Sequence, residues 1–200
     1  DKSKELYGLY QAIKINRRPE ALIIVEGYMD VIALAQNGIF CAIASLGTAT
    51  SAYQIKDALR NCNTLIFCYD GDDAGQKAAW RAAETSLSLM KENLDIRFIS
   101  LPKKDDPDTY TQQHGKAAFE QLIQNAQPLD DFILQTLKNN NSSHSLTGKT
   151  AFTDALTTCF NTIPEGTYKN LFAEKTNKNT NINLKIKAKK QVAKYGKRSS

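Results

Sequence analysis

The feature that most constrains the fold is a short apolar run that ends in a cluster of acids. Residues 65–69, LIFCY, are followed at once by DGDD at 70–73. A run that is apolar on both faces is typical of a strand buried in a parallel sheet. Asp-Gly favours a turn, and residues 74–90 then have helical spacing. The acids therefore lie between the end of a strand and the start of a helix, where open α/β sheets bind ligands.

Three other segments have the apolar composition of buried strands, and helical spacing fills the stretches between them. The predicted strands are 21–25, 40–44, 65–69 and 96–101. Helical spacing is found in 4–15, 28–37, 51–59, 74–90, 117–125, 128–138, 147–160 and 164–173. This alternation predicts an α/β fold with a central, mostly parallel, four-stranded sheet flanked by helices. The helices after residue 115 predict a small all-α C-terminal subdomain.

Charge divides the chain into an acidic body and a basic tail. The 26 Lys and Arg exceed the 21 Asp and Glu, which gives a formal net charge of +5. Residues 175–200 hold nine Lys and Arg and no acid, so the preceding part carries a net negative charge. We expect the Asn- and Lys-rich tail, 174–200, to be disordered. Its cations from Lys185 to Arg198 suit non-specific DNA binding or a linker, and we interpret the tail as a linker.

Several classes of protein are excluded by what the sequence lacks. No run reaches the roughly 18 apolar residues of a membrane span, and the start lacks the apolar region of a signal peptide. The four cysteines form no Cys-x-x-Cys pair, so no zinc site of that kind is expected. Cys41 and Cys68 are expected as small core residues in a reduced, cytoplasmic protein. Because the chain starts with Asp1 and has two methionines, we expect a piece of a longer protein.

Acidic residues follow three of the four predicted strands. The candidate metal ligands are Glu26, Asp30, Asp70, Asp72, Asp106 and Asp108. In a parallel sheet the carboxyl ends of the strands share one edge, so we expect these side chains to converge. Each group alone has a structural explanation as a turn or a helix cap. Together they would repel one another unless a cation is bound, and carboxylates hold Mg²⁺ or Mn²⁺.

Such a site indicates phosphate chemistry. Two carboxylate-bound metal ions can hold the attacking and leaving oxygens of an in-line displacement. A glycosidase needs two acids rather than six, and the sequence has no Gly-x-x-x-x-Gly-Lys-Ser/Thr loop. The two histidines, His114 and His144, are expected at the surface rather than in a Ser-His-Asp triad. A phosphoacceptor receiver domain would need a Lys on a later strand, which no predicted strand offers.

Binding of a polynucleotide also requires cations near the acidic edge. Lys77 and Arg81 share one face of the helix after the acidic turn. We interpret Lys77 as a phosphate contact, Arg81 as part of a solvated face and Trp80 as a core residue. Lys103 and Lys104 either contact phosphate or balance the neighbouring acids, and the sequence does not decide between these roles.

Four strings resemble the Toprim domain and, more narrowly, bacterial DNA primases of the DnaG type. They are VEGYMDV at 25–31, SLGT at 45–48, YDGD at 69–72 with a following Ala-Gly, and DPD at 106–108. A glutamate on one strand and an Asp-x-Asp on a later one are typical of Toprim domains in general. The Glu-Gly-Tyr-Met-Asp string and the Asp-Pro-Asp loop indicate primase.

The resemblance implies a function and a set of site residues. Primases of this type use NTPs and Mg²⁺ or Mn²⁺ to make short RNA primers on a single-stranded DNA template in the bacterial cytoplasm, at the nucleoid. The catalytic residues and metal ligands would be Glu26, Asp70 and Asp72, with Asp30, Asp106 and Asp108 as supporting ligands. Candidate contacts to nucleotide or nucleic acid are Gly47, Thr48, Lys77, Lys103 and Lys104.

The resemblance also implies a domain order. Residues 1–19 would lead in from a preceding basic subdomain, 20–115 would form the Toprim catalytic domain, 116–173 the helical subdomain and 174–200 the tail. The family's zinc-binding domain and its domain for binding the replicative helicase have no counterpart in this sequence. The family's preceding basic subdomain, whose Lys and Arg help to hold template and NTP, is also absent, and we therefore expect the isolated piece to be inactive or weakly active. Asp73 departs from the family pattern, in which a basic or variable residue is common.

Two other interpretations stay open. The first is another Toprim enzyme, either a topoisomerase fragment, whose nucleophilic tyrosine normally lies outside this domain, or an OLD-type nuclease. The second is a non-catalytic Toprim binding module, such as a recombination mediator. A binding module would not need a divalent ion at Asp70 and Asp72.

Overall fold

A computed structural model of the chain describes residues 4–46, 49–141 and 145–184. Its helices are α1 (Leu9–Ile15), α2 (Tyr28–Gln36), α3 (Ala52–Ala58), α4 (Asp73–Leu87), α5 (Pro107–Gln124), α6 (Leu129–Asn140), α7 (Leu146–Thr162) and α8 (Thr167–Thr180). Its strands are β1 (Ala21–Val25), β2 (Ala42–Ala44), β3 (Thr64–Tyr69), β4 (Asp95–Ser100) and β5 (Gln127–Pro128). None of the helices in the described ranges combines the length and the apolar composition needed to cross a membrane.

The strands form one sheet in the order β2-β1-β3-β4-β5. The first four are parallel, and Ile23 in the middle of β1 lies opposite both Ala42 and Ile66. β5 runs antiparallel to β4, with Gln127 opposite Phe98. The α/β class and the mostly parallel sheet are therefore confirmed. The sheet has one strand more than the four predicted, because a strand of two residues is too short to show any periodicity.

Helices cover both faces of the sheet, and successive strand residues point to opposite faces. Ile23 and Val25 of β1 are buried in one core together with Phe119 of α5. The neighbouring Leu22 lies in the other core, which includes residues from α3, α4, α6, α7 and α8 and extends to Leu156 of α7. Burial of both faces explains why these strands are apolar throughout rather than alternating.

The first helix begins later than its spacing predicted. The helical pattern started at Lys4, but α1 starts at Leu9, because Gly8 adopts a left-handed backbone conformation with φ 82°. Tyr7 pairs instead with Ala44 at the end of β2, through backbone hydrogen bonds of 2.9 and 3.0 Å. The sheet edge thus satisfies backbone groups that an earlier turn of helix would have used.

The fifth helix begins earlier than predicted, at Pro107 rather than at residue 117. Asp106 caps it by accepting a hydrogen bond from the Thr109 N–H at 2.6 Å. Proline is favoured in the first turn because its missing N–H would have no partner there. Gly115, with φ 79° and ψ 172°, interrupts the helical backbone. Because of this break, the residues of α5 do not follow one regular helical spacing, and the sequence predicted only the part from residue 117.

The C-terminal part of the chain is ordered beyond the predicted boundary. α8 runs to Thr180, and Leu184 is buried while its N–H donates to Asn177 Oδ1 at 3.0 Å. The expectation of disorder from residue 174 is therefore wrong for residues 174–184, and residues 185–200 lie outside the described residues. The predicted domain division at residue 115 falls within α5, and it stays a prediction.

Backbone packs directly against backbone at the turn after β3. The Gly71 N–H donates to the carbonyl oxygen of Asp105 at 2.8 Å. A Cβ atom on Gly71 would overlap the carbonyl oxygen of Pro102, and a Cβ on Gly75 would overlap that of Asp70. Only glycine allows such close approach. The loops that follow β3 and β4 are therefore held at a fixed separation.

Gly71→Ala is expected to lower the free energy of unfolding by about 2–4 kcal/mol, because the added methyl group must force these two loops apart. Urea denaturation followed by circular dichroism measures the change. Gly166→Ala is the control, because a Cβ there meets nothing within 4 Å, and it should change stability by less than about 0.5 kcal/mol. Equal stability of Gly71→Ala and the unmodified chain would contradict the fixed separation.

Candidate metal centre

The turn after β3 places two carboxylates at the carboxyl edge of the sheet. β3 ends at Tyr69, and Asp70 and Asp72 follow it. Asp72 caps α4, since its Oδ1 accepts a hydrogen bond from the Gly75 N–H at 2.8 Å. Its charge therefore lies at the positive end of the helix dipole. Glu26 follows the adjacent strand β1, and its charge acts directly on Asp70.

Helix caps also hold the carboxylates at the ends of β1 and β4. At the start of α2, Asp30 Oδ2 accepts a hydrogen bond from the Gly27 N–H at 3.0 Å. At the start of α5, Asp106 accepts from Thr109, and Asp108 lies in the first turn of the same helix. Each of these two hydrogen bonds uses one carboxylate oxygen. These residues therefore act in the local helix caps that the sequence predicted, and they also belong to the carboxylate cluster.

Burial and mutual repulsion raise the pKa of three of these carboxyls. Burial, and then the charges of Glu26, Asp30, Asp106 and Asp72, raise the pKa of Asp70 to about 7. Burial is also the main cause that raises the pKa of Glu26 and of Asp30. The charges that act on these three groups are all carboxylates of the same cluster. Asp108 belongs to it as well, because its charge raises the pKa of Asp30.

The composition of the cluster fits a divalent cation. Glu26 Oε1 is buried and has no hydrogen-bond partner among the described residues. Leaving such an oxygen unpaired is costly, and a hard cation would satisfy it. In the positions the side chains occupy, no three His, Cys, Asp or Glu groups of the described ranges meet at the geometry of a bound metal. The charges of these carboxylates act on one another, so a cation bound among them would relieve their repulsion.

The predicted basic and loop contacts are placed differently. Lys103 and Lys104 are exposed, and neither forms an ion pair with a carboxylate in the part of the chain that the structure describes. Lys77 is exposed on α4 and lines a cavity with Arg81. Gly47 and Thr48 lie outside the described residues. These five assignments therefore stay predictions.

Sequence reasoning missed the residues on the far side of the acidic turn. A cavity of about 250 Å³ begins at Asp70 and Gly71 and extends between α4 and α6. Five carboxamide side chains line it: Gln76, Gln127, Gln135, Asn139 and Asn140. They come from three elements, and no motif or spacing joins them along the chain. Their grouping depends on how α6 packs beside α4.

The fold and the site match known proteins. A family model described as Toprim-like matches residues 23–111, a range that runs from within β1 into α5 and includes all six clustered carboxylates. This part of the chain is therefore similar to Toprim domains. A DNA primase from Legionella pneumophila is 45% identical over 181 residues, which cover 90% of this chain and 31% of that protein.

Solved structures agree with this match. A DNA primase domain from Pseudomonas aeruginosa superposes with a TM-score of 0.85 at 40% identity, over 91% of this chain and 57% of that one. A DnaG primase catalytic domain bound to ssDNA gives a TM-score of 0.82 at 40% identity, over 89% and 57%. The chain is therefore similar in sequence and in fold to part of the catalytic core of DnaG-type bacterial DNA primases. It spans about a third of the length of the Legionella relative.

Asp70→Asn is expected to stabilise the metal-free fold at pH 8 and to have little effect at pH 4. The pKa of Asp70 is raised from 3.8 to about 7, so the folded state binds this proton more tightly than the unfolded state. Stability therefore falls as the pH rises from about 4 to about 7 and stays reduced above that range. Allowing for the partial exposure of Asp70 to solvent, we expect Asp70→Asn to raise the free energy of unfolding by about 1–2 kcal/mol at pH 8.

Thermal unfolding in EDTA at both pH values measures this difference. Asp154→Asn is the matched control, because Asp154 is exposed on α7 and does not belong to the cluster. A change at pH 8 no larger than that of the control would contradict the repulsion among the carboxylates.

Proposed function

We propose that this chain is part of the RNA polymerase domain of a bacterial DNA primase and supplies its metal-dependent nucleotidyl-transfer site. The observation that carries the proposal is the cluster of carboxylates in which burial and repulsion raise the pKa of Asp70 to about 7. A site of this composition suits divalent cations held next to phosphates. The similarity to DNA primases indicates the reaction, which is synthesis of short RNA primers during replication.

In this reaction the 3′-hydroxyl of the primer attacks the α-phosphate of an incoming NTP. A phosphodiester bond forms, pyrophosphate leaves and the hydroxyl proton is lost. Mg²⁺ or Mn²⁺, when bound, would screen the phosphate charge and favour the ionised hydroxyl. The proposed ligands are Glu26, Asp70 and Asp72, with Asp30, Asp106 and Asp108 in support. The buried Oε1 of Glu26 would hold the cation or accept the proton, and Asp70 would be held in its ionised form beside a bound cation.

The proposed partners follow from the same reaction. They are a single-stranded DNA template, NTPs and the RNA primer, and the related catalytic domain solved with ssDNA supports the first of these. Contact with the replicative helicase, and a zinc site, are assigned to other domains of a full-length primase. The proposed location is the bacterial cytoplasm, at the nucleoid.

Asp70→Asn combined with Asp72→Asn in the full-length protein is expected to lower primer synthesis about 100-fold or more, because two of the three main ligands lose their charge. Asparagine still caps a helix, so α4 should stay folded. Primer synthesis is measured on single-stranded DNA with labelled NTPs, and Mn²⁺ binding by electron paramagnetic resonance.

Asp154→Asn serves again as the control and should prime within about twofold of the unmodified protein. Normal priming by the double variant would refute the proposed site. Anomalous scattering from a crystal soaked in Mn²⁺ gives an independent test, since the ion should contact Glu26, Asp70 and Asp72 together.

The isolated 200-residue chain is expected to bind Mn²⁺ weakly and to synthesise primers poorly or not at all. The reason is that a primase also needs cations to hold template and NTP, and the body of this chain is acidic. The same primer assay, with full-length protein as the reference, measures this. Robust primer synthesis by the isolated chain would contradict the expectation.

A further inference from the structure

Two adjacent cavities lie along the groove between α4 and α6. The first has a volume of about 250 Å³ and begins at Asp70, and the second has a volume of about 460 Å³ and reaches Glu84. Both are lined by Gln76, Thr136 and Asn140, so they are adjacent. We call this feature the α4–α6 groove. It leads directly away from the carboxylate cluster.

The end of the groove beside the cluster offers hydrogen bonds without positive charge. The first cavity is lined by the five carboxamides named above and by the apolar side chains of Ile99 and Phe132. Apart from Asp70, no charged side chain of the described residues lines it. Carboxamides both donate and accept, as the edges of nucleobases require. An aromatic wall with amides around it suits a flat, polar, uncharged ring.

The far end of the groove combines an aromatic ring with two cations. Trp80 lines it together with Lys77 and Arg81, and so do Asp73 and Glu84. Lys77 and Arg81 are exposed, and neither forms an ion pair with a carboxylate of the described residues. Trp80 packs partly against the core while one side faces the cavity. The charges of the two cations and the two acids cancel, so this end of the groove has no net positive charge to attract anions.

We propose that the α4–α6 groove binds an unpaired stretch of the DNA template next to the carboxylate cluster. Amides at the near end contact base edges, Trp80 stacks on a base, and Lys77 and Arg81 contact backbone phosphates. From Gly75 to Glu84, α4 rises about 14 Å, which matches about four stacked nucleotides at about 3.4 Å each. The inference rests on the proposed function, because it needs a template at this site.

The balance of charge distinguishes this ligand from a duplex. Binding of duplex DNA depends on many phosphate contacts and on a net positive surface. The groove has two cations and three acids, Asp70, Asp73 and Glu84, and its remaining contacts suit exposed bases. Stacking and hydrogen bonding are available only from bases that are not already paired and stacked in a helix.

The chain carries its own reporter for this groove, because Trp80 is its only tryptophan. A 12-nucleotide single-stranded DNA added to the chain in EDTA should quench the tryptophan fluorescence, since a base stacks on the indole. The blunt duplex of the same sequence should quench it much less. Unchanged fluorescence at saturation, with binding confirmed by anisotropy of a labelled oligonucleotide, would overturn the proposal.

Substitutions then test the individual contacts by anisotropy at low salt. Lys77→Gln with Arg81→Gln should weaken binding of the single strand about 5–10-fold. Trp80→Leu should weaken it about tenfold and Trp80→Phe about twofold, because phenylalanine keeps a stacking surface. Arg17→Gln with Arg18→Gln is the matched control, since it removes the same charge at the opposite edge of the sheet, before β1. Equal weakening by the control pair and the groove pair would overturn the proposal.

Two further measurements distinguish the template from other ligands and the groove from the metal site. If the groove variants weaken binding of an RNA oligonucleotide of the same sequence but do not weaken binding of the DNA, the groove binds the RNA product. That result would overturn the assignment to the template. Mn²⁺ binding by the same variants should be unchanged. The proposal does not require the variant Asp70→Asn with Asp72→Asn to lose DNA binding. The proposed metal site and the proposed groove are therefore tested independently of each other.

Discussion

The separation between the acids that follow β3 and those that follow β4 depends on one close contact between backbones. The Gly71 N–H bonds to the Asp105 carbonyl oxygen, and Gly71 lies so near Pro102 that a side chain would not fit. This contact joins the loop after β3 to the loop after β4. It sets how far Asp70 lies from Asp106, and a longer separation would weaken both their repulsion and their ability to share a cation.

Helix caps explain how a protein tolerates so many acids in one place. Asp30, Asp72 and Asp106 each accept a backbone N–H at a helix start, where the helix dipole favours negative charge. Asp70 has no such position, because it lies between the end of β3 and the start of α4. The cost of crowding is therefore concentrated on Asp70, whose pKa rises to about 7. A cation bound beside it would relieve that cost.

The sequence predicted much of this arrangement for a clear reason. Buried parallel strands must be apolar on both faces, so β1, β3 and β4 are visible as continuous runs, and the acids at their ends must share an edge. Local pattern could not reveal the start of α5, because Gly115 interrupts the helical repeat. Nor could it reveal β5, which exists only because Gln127 and Pro128 meet the edge of β4.

By itself, the sequence determined the α/β class, the order of the strands along the chain and the identity of the six acids, because burial and turn formation act on residues that are close in sequence. Only the tertiary structure decided the strand order within the sheet, the mutual repulsion centred on Asp70 and the groove that joins Gln76 to Asn140. These features depend on packing between elements that lie far apart in the chain. Trp80 shows the difference: its helical position predicted a core residue, and the placement of α6 gave it one buried side and one side that faces the groove.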